Sequence, residues 1–303
     1  MSTTSSRQTE TLHGNAKGLD LQPDGAILEQ LLASQLQALQ ATASAASELA
    51  AAAGLMVQSI RAGGRLHYAA AGSSALMGLA DGAEIPGTFG LTADRIAIHM
   101  AGGVPHDGKM PGHTEDDTAS AITAAAEVKP EDAVIAISAS GSTPYPLAFA
   151  KVAQDNGASV ICIANTANAP MFAYADVAIH LDTPPELIAG STRLGAATAQ
   201  KATLNMLSTL MGIRLGHVFD GMMVNVVADN DKLRSRAEGI VRQIADVTPT
   251  LAAECLLRAH GAVKPAVIMA SDTLSLEQAN QILDETNGDL RAALRHLRPR
   301  PLG

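Results

Sequence analysis

Residues 133–143 read AVIAISASGST, and this stretch decides the fold class of the chain. Residues 134–137 are apolar at every position and do not alternate with polar residues. Such a run is typical of a parallel strand that helices cover on both faces. The loop at residues 138–143 follows at the carboxyl end of that strand and is rich in hydroxyls. Backbone N–H groups and hydroxyls that converge at such a position favour the binding of an anion.

Similar apolar runs occur before and after this stretch, with helical segments between them. Five short strands separated by helices are typical of a doubly wound α/β domain with a parallel sheet. In such a domain the loops at the carboxyl ends of the strands meet at one crevice. The other strands are predicted at residues 65–74, 95–103, 159–165 and 176–182. The crevice is predicted to be lined by residues 72–74, 101–117, 138–143 and the segment after 182.

The remaining segments predict helices around this sheet. Residues 24–61 are rich in Ala and Leu and predict two helices, and residues 183–216 contain a long apolar helix that Ser191 or Thr192 would cap. Charged amphipathic segments at 230–246, 251–261 and 275–297 predict a small helical module, with a cap at Thr248 and Pro249. The predicted domains are a polar arm (1–22), mobile or ordered against a partner subunit, an α/β domain with N-terminal helices (23–229), and a C-terminal helical module (230–303).

Composition narrows the class of protein. The net charge of −9 argues against nucleic acid or an anionic membrane surface as a main partner. Cys162 and Cys255 stand alone in apolar runs and predict buried thiols in a reducing compartment, without a disulfide framework. Neither an apolar leader nor a run of about 18 apolar residues is visible, so we expect a soluble cytoplasmic protein.

Two glutamates are candidates for acid/base chemistry. Glu84 lies in DGAEIPGTFG, at the end of the helix after the first strand, and Glu115 lies in HTEDD, after the second strand. Either could be an ordinary exposed carboxylate. Two carboxylates that converge on one crevice would suit general acid/base catalysis. His106 and His113 flank a nearby Gly/Pro loop, but their spacing matches no known metal site, so no metal is predicted.

Hydroxyl residues occur in two loops at predicted strand ends. Ser73 and Ser74 follow the first strand, and Ser138, Ser140, Ser142 and Thr143 follow the third. Serine and threonine also cap helices routinely, which is the alternative for each loop. Two such loops in one sheet favour phosphate binding. Arg193 and Lys201 are the basic residues nearest the predicted crevice. Either could contact the substrate, and either could equally be a charge on a helix surface.

Several segments resemble the bacterial N-acetylmuramic acid 6-phosphate etherase family, whose α/β part is the flavodoxin-like sugar isomerase (SIS) domain. The resemblance extends from residue 9 to residue 297. It rests on TETLHGNAKGLD, RLHYAAAGSS, DGAEIPGTFG, HTEDD, SASGSTPY, PELIAGSTRL, TAQKATLNMLST, GMMVNVVADNDKLRSRA and NGDLRAAL.

The resemblance implies a reaction and a set of site residues. The family cleaves the lactyl ether at C3 of the ring-opened sugar phosphate by elimination and hydration, without metal or cofactor, and releases N-acetylglucosamine 6-phosphate and D-lactate. The resemblance implies that Glu84 is the catalytic acid and Glu115 the catalytic base. Pockets of this type usually borrow residues from a second subunit, so a homodimer is implied, with helices 24–61 as a source of its surface. The residues assigned to the substrate and its phosphate are Ser73, Ser74, Ser138, Ser140, Gly141, Ser142, Thr143, Glu186 and Ser191.

The chain departs from the family pattern at three basic positions. Leu76 and Ser142 stand where the family usually has arginine, and Gly195 stands where it usually has lysine. Each charge-assisted hydrogen bond to an anion is worth on the order of 1.5–3 kcal/mol. The departures predict a substrate with a different anionic group, weaker phosphate binding or a changed reaction. Two alternatives follow: an aldose–ketose isomerase of phosphosugars with Glu186 as base, and a sugar-phosphate-binding regulator without turnover.

Overall fold

The structure is a computed structural model that describes residues 8–297. These residues form two compact units: the first comprises residues 8–83 and Asp94–Ser208, and the second comprises Glu84–Ala93 and residues 209–297. The main division therefore falls after Ser208, whereas the domain boundary was expected after residue 229. That boundary stays a prediction, because a compact unit is not necessarily a domain that folds on its own. The outermost residues of the predicted arm and tail lie outside the described residues.

The first unit contains a parallel five-stranded sheet in the order β2-β1-β3-β4-β5. The predicted doubly wound α/β class is confirmed. The chain leaves β1 toward β2 on one side and later adds β3 on the other, so the strand order reverses at β1. Loops at the carboxyl ends of β1 and β3 therefore flank a topological switch point, where α/β folds bind ligands. The strands are β1 (Leu66–Ala70), β2 (Ile96–Met100), β3 (Ala133–Ser138), β4 (Ser159–Ala164) and β5 (Val177–His180).

The apolar run that opened the sequence forms the centre of this sheet. Every residue of β3 is buried, which is the two-sided burial that its unbroken apolar pattern predicted. On one face, Phe149 and several alanines of the helices that follow β2 and β3 pack against alanines and valines of the strands. Full burial of a side chain such as Ile135 contributes about 1.5–3 kcal/mol relative to exposure. Cys162 in β4 is a buried free thiol, as predicted, and so is Cys255 in the second unit.

The helices around the sheet follow the predicted order. The two N-terminal helices, the helix at Pro144 and the long apolar helix are confirmed. The third helix begins in the first unit and ends in the second, and the sixth also crosses the division. Their bounds are α1 (Asp24–Ser44), α2 (Ala46–Arg61), α3 (Gly72–Phe89), α4 (Thr118–Ala125), α5 (Pro144–Asp155) and α6 (Gly195–Arg214).

Helix α3 is longer than its sequence suggested. It begins at Gly72, so Ser73 and Ser74 lie in its first turn and not in a separate loop. It also continues through Pro86, where a turn was expected. Proline cannot donate the backbone hydrogen bond of a helix interior. Ile85 and Phe89 are both buried, and their burial on one side of the helix holds this turn in place.

The described part of the predicted arm contacts other residues of its own chain. The backbone N–H of Gly190 donates to the carbonyl of Thr9 at 3.0 Å. Leu19 is buried within the first unit. The arm therefore lies along the segment that precedes α6.

The second unit is mainly helical, which confirms the predicted helical module. Thr248 caps its second helix, as expected, by accepting a hydrogen bond from the N–H of Leu251. The helix at Val263–Asp272 and a short antiparallel hairpin were not expected, because the former is almost entirely buried and lacks an amphipathic pattern. Among the described residues no helix is long and apolar enough to cross a membrane. The elements are β6 (Val218–Phe219), β7 (Met222–Met223), α7 (Asp231–Ala245), α8 (Pro249–Arg258), α9 (Val263–Asp272), α10 (Leu276–Glu285) and α11 (Leu290–Leu297).

Candidate active site

The hydroxyl loop (residues 138–143) forms a closed turn at the carboxyl end of β3. The backbone N–H of Gly141 donates to Oγ of Ser138 at 3.0 Å, and the same Oγ lies 2.8 Å from Oγ1 of Thr143. Gly141 has a φ of +64°, and a Cβ atom there would lie 2.2 Å from Cβ of Ala169. Only glycine allows the loop to turn this tightly, so the backbone that would face an anion is set by packing.

The hydroxyls of this loop bind one another and do not cap the helix that follows. Oγ of Ser140 accepts from the backbone N–H of Ser142 at 3.2 Å and from its hydroxyl at 3.1 Å. Thr143 precedes α5 but makes no capping hydrogen bond with its side chain. This disfavours the alternative in which the hydroxyls exist to cap α5. Ser140 accepts twice, so its own O–H can donate to a ligand at the helix N-terminus.

Glu115 lies beside the first residue of α3. It sits on a short 3-10 turn, Gly112–Asp116, after β2. A Cβ atom at Gly72 would lie 2.6 Å from Oε1 of Glu115, so a side chain at that position would displace the carboxylate. Gly72 also has a φ of +55°, which favours glycine. The structure therefore brings the predicted base and the turn that carries Ser73 and Ser74 together at the carboxyl end of β1.

The surroundings of Glu115 favour proton uptake. Its side chain is half-buried, and burial together with the neighbouring Asp116 raises the pKa of the Glu115 carboxyl above its ordinary value of 4.5. Burial acts because it disfavours the charged form, and Asp116 acts by repulsion between like charges. A carboxylate with a raised pKa is a stronger base near neutral pH.

Glu84 lies farther along α3, in the segment that belongs to the second unit. Its side chain is exposed, and it precedes the buried Ile85 and the half-buried Pro86. The sequence placed it near the helix end, and it instead lies within the last turns of α3.

Glu186 caps α6. Its side chain is 4% exposed. Its Oε2 accepts from the N–H of Gly195 at 2.8 Å, and its Oε1 accepts from the N–H of Ala196 at 2.9 Å. This role was expected of Ser191 or Thr192, and a carboxylate suits the positive end of a helix dipole. A carboxylate that holds two backbone N–H groups is poorly suited to shuttle a proton, which disfavours the isomerase alternative.

Gly195 has a packing role of its own. A Cβ atom there would lie 3.0 Å from Cβ of Ala38 and 3.2 Å from Oε2 of Glu186. Both distances are tighter than ordinary carbon contacts, so a larger side chain would push the cap and α1 apart. Gly195, which replaces the lysine usual in the family, is thus also the residue whose N–H is bound by the Glu186 cap of α6.

A buried polar network below the carboxyl ends of β4 and β5 was missed in the sequence. Nε2 of Gln200 donates to Oδ1 of Asn165 at 2.8 Å, and Nδ2 of Asn165 donates to Oγ1 of Thr183 at 3.3 Å. The N–H of Asn165 donates to the carbonyl of Ala139 at 2.9 Å, which ties the network to the hydroxyl loop. The polar residue that ends the apolar run SVICIAN was the available signal.

The other predicted residues are half-buried or exposed. Ser191 and Leu76 are half-buried, and Arg193, Lys201, His106 and His113 are exposed. Within residues 8–297 no three His, Cys, Asp or Glu side chains cluster in a way that could hold a metal ion.

Comparisons with known proteins bear on the family and the fold of this chain. The SIS domain family matches residues 31–165. The N-acetylmuramic acid 6-phosphate etherase of Deinococcus radiodurans is 37% identical over 293 residues, covering 96% of this chain and 96% of its own. The enzyme of the same name from Mycolicibacterium smegmatis is 38% identical over 82% of this chain and 84% of its own. A proposed phosphosugar isomerase from Bacteroides fragilis, involved in capsule formation, shares the fold at a TM-score of 0.50 and 17% identity, covering 66% of this chain and 95% of its own. The chain belongs to the N-acetylmuramic acid 6-phosphate etherase family of carbon–oxygen lyases.

Proposed function

We propose that this protein cleaves the D-lactyl ether of N-acetylmuramic acid 6-phosphate, or of a closely related sugar acid, in the cytoplasm during peptidoglycan recycling and amino-sugar metabolism. The products are N-acetylglucosamine 6-phosphate and D-lactate. The observation that carries the proposal is the half-buried Glu115 carboxylate against Gly72, at the edge of the sheet where the hydroxyl loop also lies. The names of relatives that match nearly the whole chain support the same substrate.

The proposed chemistry uses the two glutamates in opposite roles. Glu115 takes the C2 proton, alpha to the aldehyde of the ring-opened sugar. Loss of this proton leaves an enolate, which either takes a proton back at C2 or forms the C2–C3 double bond as the C3–O bond breaks, and Glu84 donates a proton to the leaving lactyl oxygen. Water then adds across the double bond, and its hydroxyl goes to C3. Each positioned acid or base contributes about 10²–10⁴ in rate.

The phosphate would be held by neutral donors. Hydroxyls of Ser140, Ser142 and Thr143 supply hydrogen bonds, and the start of α5 supplies the positive end of a helix dipole, with the N–H of Tyr145 between two prolines that have none. Ser142 takes the place of an arginine, so this part of the contact lacks a charge-assisted bond. We therefore propose weaker phosphate binding with retained chemistry.

The direct test is to incubate the purified protein with N-acetylmuramic acid 6-phosphate and to assay D-lactate enzymatically. We expect time-dependent lactate release that Glu115→Gln abolishes. Absence of lactate at high protein concentration would overturn the proposal. Binding of the sugar phosphate without any product would instead establish the regulator.

We also propose that the protein is a homodimer that packs through α1. Between Glu29 and the end of α1 at Ser44 the helix carries no charged residue, which suits contact with a second copy of an acidic chain. A stripe of exposed leucines at helical spacing runs along it: Leu28 (64%), Leu32 (62%), Leu36 (52%) and Leu39 (38%). Analytical ultracentrifugation should show a dimer that Leu32→Glu converts to a monomer. A wild-type monomer at micromolar concentration would refute this interface.

A further inference from the structure

A second buried carboxylate on α3 has no place in the proposed chemistry. Asp81 is only 4% exposed. Its Oδ2 accepts from the hydroxyl of Tyr68 at 2.9 Å. Its Oδ1 accepts from Nδ2 of Asn205 at 2.8 Å and from the hydroxyl of Ser208 at 2.9 Å. One side chain thus joins strand β1, helix α3 and helix α6.

The partners of Asp81 are all neutral donors. A carboxylate in a protein interior is costly unless hydrogen bonds compensate for its lost water. Three donors from β1 and α6 provide that compensation. They can all reach Asp81 only when α3 has one particular rotation about its axis and one particular position along that axis. Tyr68 must donate, and burial together with Asp81 raises the pKa of its hydroxyl well above its ordinary value. The network therefore fixes how α3 is oriented against β1 and α6, in addition to holding these elements in contact.

This placement matters most for the part of α3 just beyond Asp81. Pro86 has no N–H, so the carbonyl of Gly82 loses the backbone hydrogen bond that it would accept in a regular helix. Gly82 itself lies close under Tyr68, where a Cβ atom would come within 3.3 Å of the ring. This turn of α3 therefore has one backbone hydrogen bond fewer, and its placement depends more on the side-chain hydrogen bonds of Asp81.

Glu84 follows Asp81 by three residues in this segment. Residues three apart in an α-helix are neighbours on its surface, so a rotation or shift of the helix at Asp81 carries Glu84 with it. We propose that Asp81 is a positioning residue that holds Glu84 in the geometry needed to protonate the leaving group. This inference rests on the proposed function and adds a residue that acts through the helix, without touching the substrate.

The test separates proton removal at C2 from departure of lactate. In D₂O, an intermediate formed by Glu115 either loses lactate or returns to substrate and takes up deuterium at C2. A misplaced acid slows the loss of lactate and leaves the return to substrate unaffected. The amount of deuterium in recovered N-acetylmuramic acid 6-phosphate, divided by the amount of lactate released, should therefore rise. For Asp81→Ala we expect lactate release to fall about 10- to 100-fold, the loss that a misplacement near 1 Å causes, and the ratio to rise correspondingly.

Two further variants keep the inference testable if Asp81→Ala folds poorly. In Asp81→Asn the amide oxygen can still accept from Asn205 and Ser208, and its NH₂ can donate to Tyr68 after that hydroxyl rotates. This variant should restore most of the lactate release. Tyr68→Phe removes one of the three anchors and should raise the ratio less than Asp81→Ala does.

Asp132→Ala is the matched control, because Asp132 is another buried carboxylate of the first unit and accepts three hydrogen bonds. It should lower stability and leave the ratio unchanged. Ratios that stay at the wild-type value in Asp81→Ala and Tyr68→Phe overturn this inference alone, provided that the wild type releases lactate. No lactate from the wild type overturns the proposed function, and the inference falls with it.

Discussion

The amino and carboxyl halves of the parallel sheet in the first unit both carry polar side chains, but they satisfy them in different ways. In the amino half, Asp132 is 2% exposed and accepts from the N–H groups of Arg65 at 2.7 Å and Lys129 at 2.8 Å. Nε2 of His67 lies 3.2 Å from the same carboxylate, and Nδ1 of His67 lies 3.0 Å from Nε2 of His99, which lies nearer the carboxyl end of β2. Since His67 must donate to Asp132, its Nδ1 accepts and His99 donates. The partners therefore fix both tautomers.

In the carboxyl half, Glu115 is not enclosed by such a network among the described residues. The serine and threonine hydroxyls of residues 138–143 bind one another, and a hydroxyl can turn its hydrogen toward a new acceptor without losing its own place. Glu115 is half-buried and packs against a glycine. A fully satisfied buried network makes a fold rigid, whereas donors and a base with remaining capacity suit a ligand. The comparison predicts that one half determines stability and the other determines turnover.

The largest expected effect is on turnover, from Glu115→Gln. The amide cannot accept the C2 proton, so kcat should fall by about 10²–10⁴ while the free energy of unfolding stays close to that of the wild type. Lactate release and urea denaturation measure the two quantities. Glu131→Gln, an exposed position just before β3, should change neither. A Glu115→Gln variant with a near-normal kcat would show that the catalytic site does not lie at the carboxyl half of the sheet.

The next effect is on stability, from Asp132→Ala. Loss of this carboxylate leaves buried N–H groups and His67 without an acceptor, and the free energy of unfolding should fall by about 3–5 kcal/mol. The folded fraction should keep a near-normal kcat. Asp155→Ala is the control, because its ion pair with Lys151 is exposed at both ends and is worth less than about 1 kcal/mol. A variant that loses turnover but not stability would contradict the division of roles.

A third prediction concerns pH. Burial, followed by the nearby His67 and Arg65, lowers the pKa of His99 from 6.5 to about 4, so the unfolded chain binds a proton that the folded protein refuses. Stability should therefore fall as the pH drops from 6.5 toward 4, by up to about 3 kcal/mol. Burial also lowers the pKa of His67, which acts in the same direction. Glu115 acts in the opposite direction, because its raised pKa makes the folded protein the better proton acceptor.

Urea denaturation at several pH values measures this dependence, with His99→Gln as the comparison. The glutamine has no titrating ring, so the fall in stability below pH 6.5 should be smaller in the variant. Equal pH dependence in both proteins would show that the buried histidines do not control acid stability.

The smallest expected effect sharpens the account of the hydroxyl loop. Ser142→Arg adds a cation where the family usually has one, and a charge-assisted bond of about 1.5–3 kcal/mol should lower KM roughly tenfold or more. The value of kcat should change little. Gln154→Arg adds the same charge at an exposed position near the other end of α5 and should leave KM unchanged. An unchanged KM in Ser142→Arg would show that the phosphate does not lie at residues 138–143.

The strands and the fold class could be predicted because the pattern that specifies them is local. An unbroken apolar run such as residues 134–137 indicates burial on both faces wherever it occurs, and the strand order then follows from the few allowed crossovers. The glutamates could be named from short motifs for the same reason. Helix boundaries were less certain, as α3 shows, because the burial of Ile85 and Phe89 outweighs the local preference of Pro86.

The sequence by itself therefore determined the α/β class, the two-sided burial of β3, the buried cysteines and the candidate acid and base. Only the tertiary structure decided which polar groups are already satisfied. Asp132 meets His67 across 65 residues of chain, and Asp81 meets Ser208 across 127. Hydrogen bonds depend on distances of a few ångströms between groups that the sheet order brings together, and no local pattern records those distances.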